Sequence, residues 1–186
     1  MRYGKPQLNI AKRAWRSRIL ECYRAATGNC TLPAGSVFFT LGADATAKES
    51  EFHQLRLQFL EAYQYVSVDL RAGVRARNGR IKSATFLHGE FSNKLAEFCE
   101  QHTERLGVVS CDMMCRLLAA VPTIRGVLHT LRSRPFDVVA FNVNCTRRDG
   151  SAITKRILKE AGPDFSLLDD FMYDNNGTRM RTVVLR

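Results

Sequence analysis

Phe136-Asp137-Val138-Val139-Ala140-Phe141-Asn142-Val143 is apolar at almost every position instead of at alternate ones. A strand with that pattern buries both of its faces, which happens inside a parallel sheet covered on each side by helices. Three upstream stretches repeat the pattern: Ser36-Val37-Phe38-Phe39-Thr40-Leu41, Tyr65-Val66-Ser67-Val68-Asp69-Leu70 and Gly107-Val108-Val109-Ser110-Cys111-Asp112. Between them the apolar residues fall at three- and four-residue steps. Phe52, Leu55, Phe59 and Tyr63 predict one helix, and Phe91, Leu95, Phe98, His102 and Leu106 another. Residues 113–133 are helical in pattern, but Pro122 lacks a backbone N–H, so two helices are expected, the second starting near Pro122. Ser151 is expected to cap a helix that runs through Ala161 and stops at Gly162-Pro163. Asp170-Phe171-Met172-Tyr173 and Thr182-Val183-Val184-Leu185 then flank the turn signal Asp174-Asn175-Asn176-Gly177. The alternation of strand and helix predicts an α/β fold: a doubly wound, mostly parallel sheet finished by a C-terminal antiparallel hairpin.

The N-terminal part has a different character. Leu8, Ala11, Trp15, Ile19, Cys22 and Ala26 predict an amphipathic helix ended by Gly28, so residues 1–34 read as a basic helix with a linker and residues 35–186 as the sheet domain. The net charge is +10 and unevenly placed. Residues 1–34 carry Arg2, Lys5, Lys12, Arg13, Arg16, Arg18 and Arg24 against Glu21 alone; residues 71–82 carry Arg71, Arg75, Arg77, Arg80 and Lys82 without an acid. The pair Asn78-Gly79 favours a two-residue turn, so 72–87 reads as a basic β-hairpin insertion. Clustered cations attract a polyanion, and Lys12, Arg13, Arg16, Arg75, Arg77, Arg80 and Lys82 are the expected nucleic-acid-binding residues. An acidic protein partner or a merely solubilising face would use the same charges.

Composition narrows the classes further. Apolar residues make up 45% of the 186, enough for a real core. No membrane-spanning run and no signal-peptide core follow the charged start, so a cytoplasmic protein is expected. Cys22, Cys30, Cys99, Cys111, Cys115 and Cys145 are scattered, and Cys111 and Cys115 lack the second pair of a zinc set, so reduced thiols and no metal are expected.

Ligands of open parallel sheets bind beyond the carboxyl ends of the strands. Gly42, Ala43 and Asp44 follow the first strand, Asp69 ends the second, Asp112 the third, and Asn142 and Asn144 the fourth. Asp69 is placed to accept from ribose hydroxyls, and Asp112 is also a natural helix N-cap. Asp44 and Glu51 open a helix, where acids are common for dipole reasons alone. His53, His88, His102 and His129 have no paired spacing that would mark a metal or a catalytic base.

These features, in this order, resemble the Rossmann-like class I S-adenosylmethionine-dependent methyltransferases over residues 36–186. Thr40-Leu41-Gly42-Ala43 resembles their cofactor loop, Val68-Asp69 the ribose-binding acid, Ser110-Cys111-Asp112 the adenine-side acid, and Phe136–Asn142 the strand whose end faces the substrate. Arg179-Met180-Arg181-Thr182-Val183-Val184-Leu185 resembles their closing antiparallel pair. The resemblance implies S-adenosylmethionine as cofactor, bound by Gly42, Ala43, Asp44, Asp69 and Asp112, with Asn142 and Asn144 as catalytic residues near the acceptor. Three features depart from the family: Gly42 is the single glycine of its loop, Val143-Asn144-Cys145 stands where nucleic-acid amino-methylating members carry an aromatic Pro-Pro signature, and no strand is legible between the fourth and the terminal hairpin. Three readings follow: a methyltransferase-like protein acting on or near nucleic acid, a non-catalytic nucleic-acid-binding module on a decayed fold, and a structural or interaction protein of a virus or mobile element.

Overall fold

Once both faces of a strand are buried, only neighbouring strands can satisfy its backbone groups, and each apolar run does pair in this way. The structure is a computed structural model and describes residues 10–30, 32–41, 64–71, 84–146, 149–175 and 177–186. Its strands are β1 (Val37–Leu41), β2 (Gln64–Asp69), β3 (Ala84–His88), β4 (Leu106–Arg116), β5 (Phe136–Asn144), β6 (Leu167–Asn175) and β7 (Thr178–Leu185). They form one sheet in the order β3-β2-β1-β4-β5-β7-β6. The strands from β1 to β5 are parallel. β7 inserts antiparallel between β5 and β6. The chain therefore has the expected doubly wound, Rossmann-like architecture with a C-terminal antiparallel hairpin.

Helix α1 (Ile10–Thr27) covers one face, and α2 (Phe91–Gln101), α3 (Leu117–Leu131) and α4 (Gly150–Ala161) cover the other. Trp15, Ile19, Leu20 and Tyr23 of α1 pack on Phe38, Tyr65, Val108, Val138, Ala140 and Val184. On the opposite face Phe39 meets Phe91 and Phe98 at ring-centroid distances of 5.4 and 5.5 Å. Successive strand residues point to opposite faces, so this division fixes which side chains meet α1. Among the described residues no helix is long and apolar enough to cross a membrane. All six cysteines are free.

Five local expectations need correction. The basic insertion was to reach residue 87, but residues 84–88 form β3, a parallel edge strand paired with β2; residues 72–83 lie outside the described residues. The helix through Leu106 stops at Gln101, where His102 turns to extended backbone and stacks on Phe98 at 4.2 Å; Leu106, 1% exposed, opens β4. Residues 113–116 continue β4, so Asp112 lies within a strand, and Arg116 occupies the helix N-cap position. The following helix is unbroken through Pro122. Its missing N–H would have met the carbonyl of Leu118, which sits in the exposed first turn, and the buried stripe Ile124, Val127, Leu128 and Leu131 holds the rest. Asp149, not Ser151, stands at the N-cap of α4, and Gly162 ends that helix at a φ of 72°.

Candidate active site

In a doubly wound sheet the natural crevice lies where the strand order reverses. Here β1 sends the chain outward to β2 and β3 on one side, while β4 returns on the other, so the crevice opens at the carboxyl ends of β1 and β4. The register places the predicted residues along it. Leu41 pairs with Val68, and Thr40 with Ser110, so Asp69 and Asp112 lie level, one step beyond the end of β1. Asp112 pairs with Asn142, Asn142 with Thr182, and Asp69 with His88. Asp69, Asp112, Asn142 and Thr182 thus share one row, on the face that α1 covers. One row below, Thr40, Ser67 and Ser110 stand abreast on the same face, at 0, 2 and 0% exposure. The Ser110 hydroxyl is buried without a hydrogen-bond partner.

At the centre of the row Asn142 is fully buried and uses every polar atom within the protein. Its Nδ2 donates to Asp112 Oδ1 and to the Tyr173 hydroxyl, each at 2.7 Å, and its Oδ1 accepts from the Thr182 hydroxyl at 3.0 Å. Lys12 of α1 forms an ion pair with the other oxygen of Asp112. Burial and the Asp112 charge push the Tyr173 phenol well above its usual pKa, so it stays a neutral hydroxyl. A residue enclosed in this way orients Asp112 and Tyr173 and has nothing left to offer a substrate.

Asp69 is engaged differently. Its carboxylate accepts the backbone N–H of Arg71 at 2.7 Å and the Arg71 guanidinium at 2.8 and 3.0 Å. Both predicted acids of the row therefore carry a cationic side chain from this chain itself. Asp69 stands at the tip of β2, and both its carboxylate oxygens are engaged by Arg71.

Asn144 behaves unlike Asn142. It lines a cavity of about 300 Å³ between the ends of β4 and β5 and the starts of α3 and α4, with Arg116, Leu117, Leu118, Asp149 and Ile153 among the walls. Its Oδ1 is buried and accepts no hydrogen bond. The Thr146 hydroxyl and N–H, the latter at 2.8 Å, hold the Asp149 carboxyl below the usual aspartate range.

Gly42, Ala43 and Asp44 lie outside the described residues, as do Arg75, Arg77, Arg80 and Lys82. Of the expected nucleic-acid-binding residues, Arg13 is exposed on α1, Arg16 is half-buried, and Lys12 is directed to Asp112. Arg18 bridges to Asp169 of β6 and lies 4.7 Å over the Phe171 ring, tying α1 to the sheet edge.

Sequence reasoning missed Tyr173 and Thr182, whose partner Asn142 is reached only through tertiary contacts, Arg71, whose partner Asp69 is two residues away, and also Glu90. Glu90 caps α2 by accepting from Asn93 N–H at 3.0 Å, and it also accepts from Ser92 at 2.7 Å and from Thr123 of α3 at 3.1 Å. The motif Glu90-Phe91-Ser92-Asn93 could have signalled a cap. Burial opposes ionisation of Glu90, but these bonds outweigh it and lower the pKa. A lowered carboxyl stabilises the fold above the unfolded value, about 4.3, and that contribution is lost as the pH falls through the folded value. Glu90→Ala is expected to cost about 1 kcal/mol at neutral pH. In urea titrations the gap to the unaltered protein should close below about pH 4; a constant gap from pH 7 to pH 3 refutes the cap's role.

No family model matches this chain, and no curated protein matches it in sequence. Solved structures do match in shape. The N-methyltransferase NodS from Bradyrhizobium japonicum WM9 superposes with a TM-score of 0.58 over 96% of this chain and 97% of its own, at 10% identity. Magnesium protoporphyrin IX methyltransferase from Synechocystis PCC 6803, solved with bound S-adenosylmethionine, gives 0.58 over 98 and 86%, at 16% identity. The fibrillarin pre-rRNA processing protein of Methanococcus jannaschii gives 0.55 over 82 and 67%, at 11% identity. The chain has the Rossmann-like fold of the class I methyltransferases.

Proposed function

We propose that this chain is a cytoplasmic S-adenosylmethionine-dependent methyltransferase that acts on nucleic acid. The observation that carries the reading is the single row of Asp69, Asp112 and Asn142 at the crevice where the strand order reverses. The donor set fits the cofactor: a strand-tip carboxylate for ribose, a second carboxylate on the adenine side, and a buried hydroxyl, Ser110, that lacks a partner. In this reading Gly42, Ala43 and Asp44 let the cofactor approach the backbone, Asp69 receives the ribose, and Asp112 lies on the adenine side. The bound cofactor supplies a methyl group already activated on a sulfonium.

What remains for the protein is orientation. Asn142 fixes Asp112 and Tyr173, and Asn144 stands beside the acceptor. Lys12 and Arg71 yield or share their carboxylates when the ligand enters. Arg13 and Arg16, with Arg75, Arg77, Arg80 and Lys82, hold the nucleic-acid backbone by charge.

Thermal shift with S-adenosylmethionine and with its demethylated product tests this directly. A ligand at 100 times its Kd stabilises by about 2.7 kcal/mol. No shift with either compound at millimolar concentration ends the enzyme reading. The alternative, a binding module on a decayed site, draws on the fact that Asp69 and Asp112 are both already occupied by cations of this chain. It predicts no cofactor shift together with oligonucleotide affinity that falls steeply with salt.

A further inference from the structure

The two acids of the row are covered by cations that arrive by different routes. Arg71 reaches Asp69 from two residues away, and its backbone N–H joins the contact, so this pair travels with the tip of β2. Lys12 reaches Asp112 from a separate helix, 100 residues earlier in the chain. It takes the second oxygen of a carboxylate whose first oxygen accepts from Asn142, and the two side chains are only 21 and 13% exposed. The pair cancels the charge of Asp112 and covers the oxygen that Asn142 leaves open.

Lys12 is also placed to let go. It is the third residue of α1, in the turn whose N–H groups lack helical partners and from which helices open. Among the described side chains the apolar anchors of α1, Trp15, Ile19, Leu20 and Tyr23, all follow Lys12, and so does the tie of Arg18 to Asp169. The first turn can therefore swing away while the rest of the helix stays on the sheet. Arg13 is exposed beside Lys12, and Arg16 lies one turn further along the same stripe.

Resting on the cofactor and nucleic-acid reading above, we infer that the Lys12–Asp112 pair is an autoinhibitory latch, opened when a nucleic-acid phosphate drawn in by Arg13 and Arg16 takes the Lys12 ammonium from Asp112. The ammonium exchanges one oxyanion for another, so the charge-assisted bond lost at the carboxylate is regained at the phosphate. The cofactor then meets an uncovered Asp112 only on a chain that already holds its polyanion. The two ligands bind with positive coupling, and the coupling is reciprocal.

Titration of the full chain with S-adenosylmethionine, with and without saturating short oligouridylate, reads that coupling. The oligonucleotide is expected to tighten cofactor binding about tenfold. Lys12→Met removes the charge and keeps an unbranched apolar stem; it should bind the cofactor about tenfold more tightly from the start and gain nothing from the oligonucleotide. Lys12→Arg, which keeps a cation, should retain the weak affinity and the response. A second readout needs no cofactor: the side-chain amide resonances of Asn142, which donates to Asp112, should shift when oligouridylate is added to the unaltered chain and remain in place in Lys12→Met. An Asn142 amide that ignores the oligonucleotide in the unaltered chain overturns the latch. Cofactor affinity indifferent both to Lys12→Met and to the oligonucleotide overturns it too, and leaves the enzyme reading standing. An amide that responds as expected, on a chain that S-adenosylmethionine binds in none of its forms, removes the enzyme reading and keeps the latch.

Discussion

Replacing Asn142 by Leu is expected to destabilise the protein by about 3–5 kcal/mol. The side chain is fully buried between β4 and β7 and makes three hydrogen bonds. Leucine has a similar volume, so the cost comes mainly from polar groups left behind and not from a cavity. Asp112 Oδ1, the Tyr173 hydroxyl and the Thr182 hydroxyl each lose a partner, at about 1–3 kcal/mol for a buried unsatisfied group. Lys12 still covers the second oxygen of Asp112, which holds the total below the sum of three full penalties. Asn142→Asp should be damaging too, since it sets one carboxylate against another at 2.7 Å spacing. Urea unfolding measures both. A loss below 1 kcal/mol for Asn142→Leu, on the scale of an ordinary surface change, would mean that the network is not formed. The two asparagines should separate cleanly, because Asn144 lines a cavity and its oxygen accepts no hydrogen bond.

Trp15→Ala should cost a similar amount, about 3–5 kcal/mol, by a different cause. Trp15 is 2% exposed, stacks on Tyr173 at 6.3 Å with an interplanar angle of 24°, and anchors the cluster under α1. Truncation empties that volume, and the rest of α1 cannot collapse into it while Arg18 and Cys22 hold Asp169. Arg18→Ala is the control: its side chain is half exposed, so solvent screens its ion pair and stability should change far less than for Trp15→Ala. Burial and the Asp169 charge raise the Cys22 thiol to about 11, so Cys22 should resist alkylation in the folded protein and react once Trp15→Ala loosens the helix. A Trp15→Ala protein with unchanged stability and an unreactive Cys22 would show that α1 is not docked as described. The consequence for the site is direct, because α1 also delivers Lys12 to Asp112.

The same residues show what could be read without coordinates. β1, β2, β4 and β5 are apolar on both faces, and that chemistry has one stable setting, so their parallel pairing was legible from single runs. β3 was not. As an edge strand it has no fully buried residue, and its sequence lacks an apolar run, so the stronger signal of Asn78-Gly79 drew residues 84–87 into a hairpin. Residues 113–116 failed for a related reason. Met113 is buried and Met114 exposed, an alternation that three or four residues cannot distinguish from a helix face, and pairing with β5 decides it.

The candidate site divides along the same line. That acids and amides would gather at the carboxyl ends of parallel strands follows from strand direction, which composition and pattern determine locally. Which strands are neighbours does not. The strand that carries Asp112, third in the sequence reading, is fourth in the chain because β3 precedes it, and it lies beside β1. Only that order puts Asn142 against Asp112. Only the docking of α1 puts Lys12 there, across 100 residues of chain. Hydrophobic patterning acts over a few residues and selects the elements; the pairing of buried polar groups acts across the whole chain, so the tertiary structure decided that Asn142 is sealed within a network while Asn144 lines an open cavity.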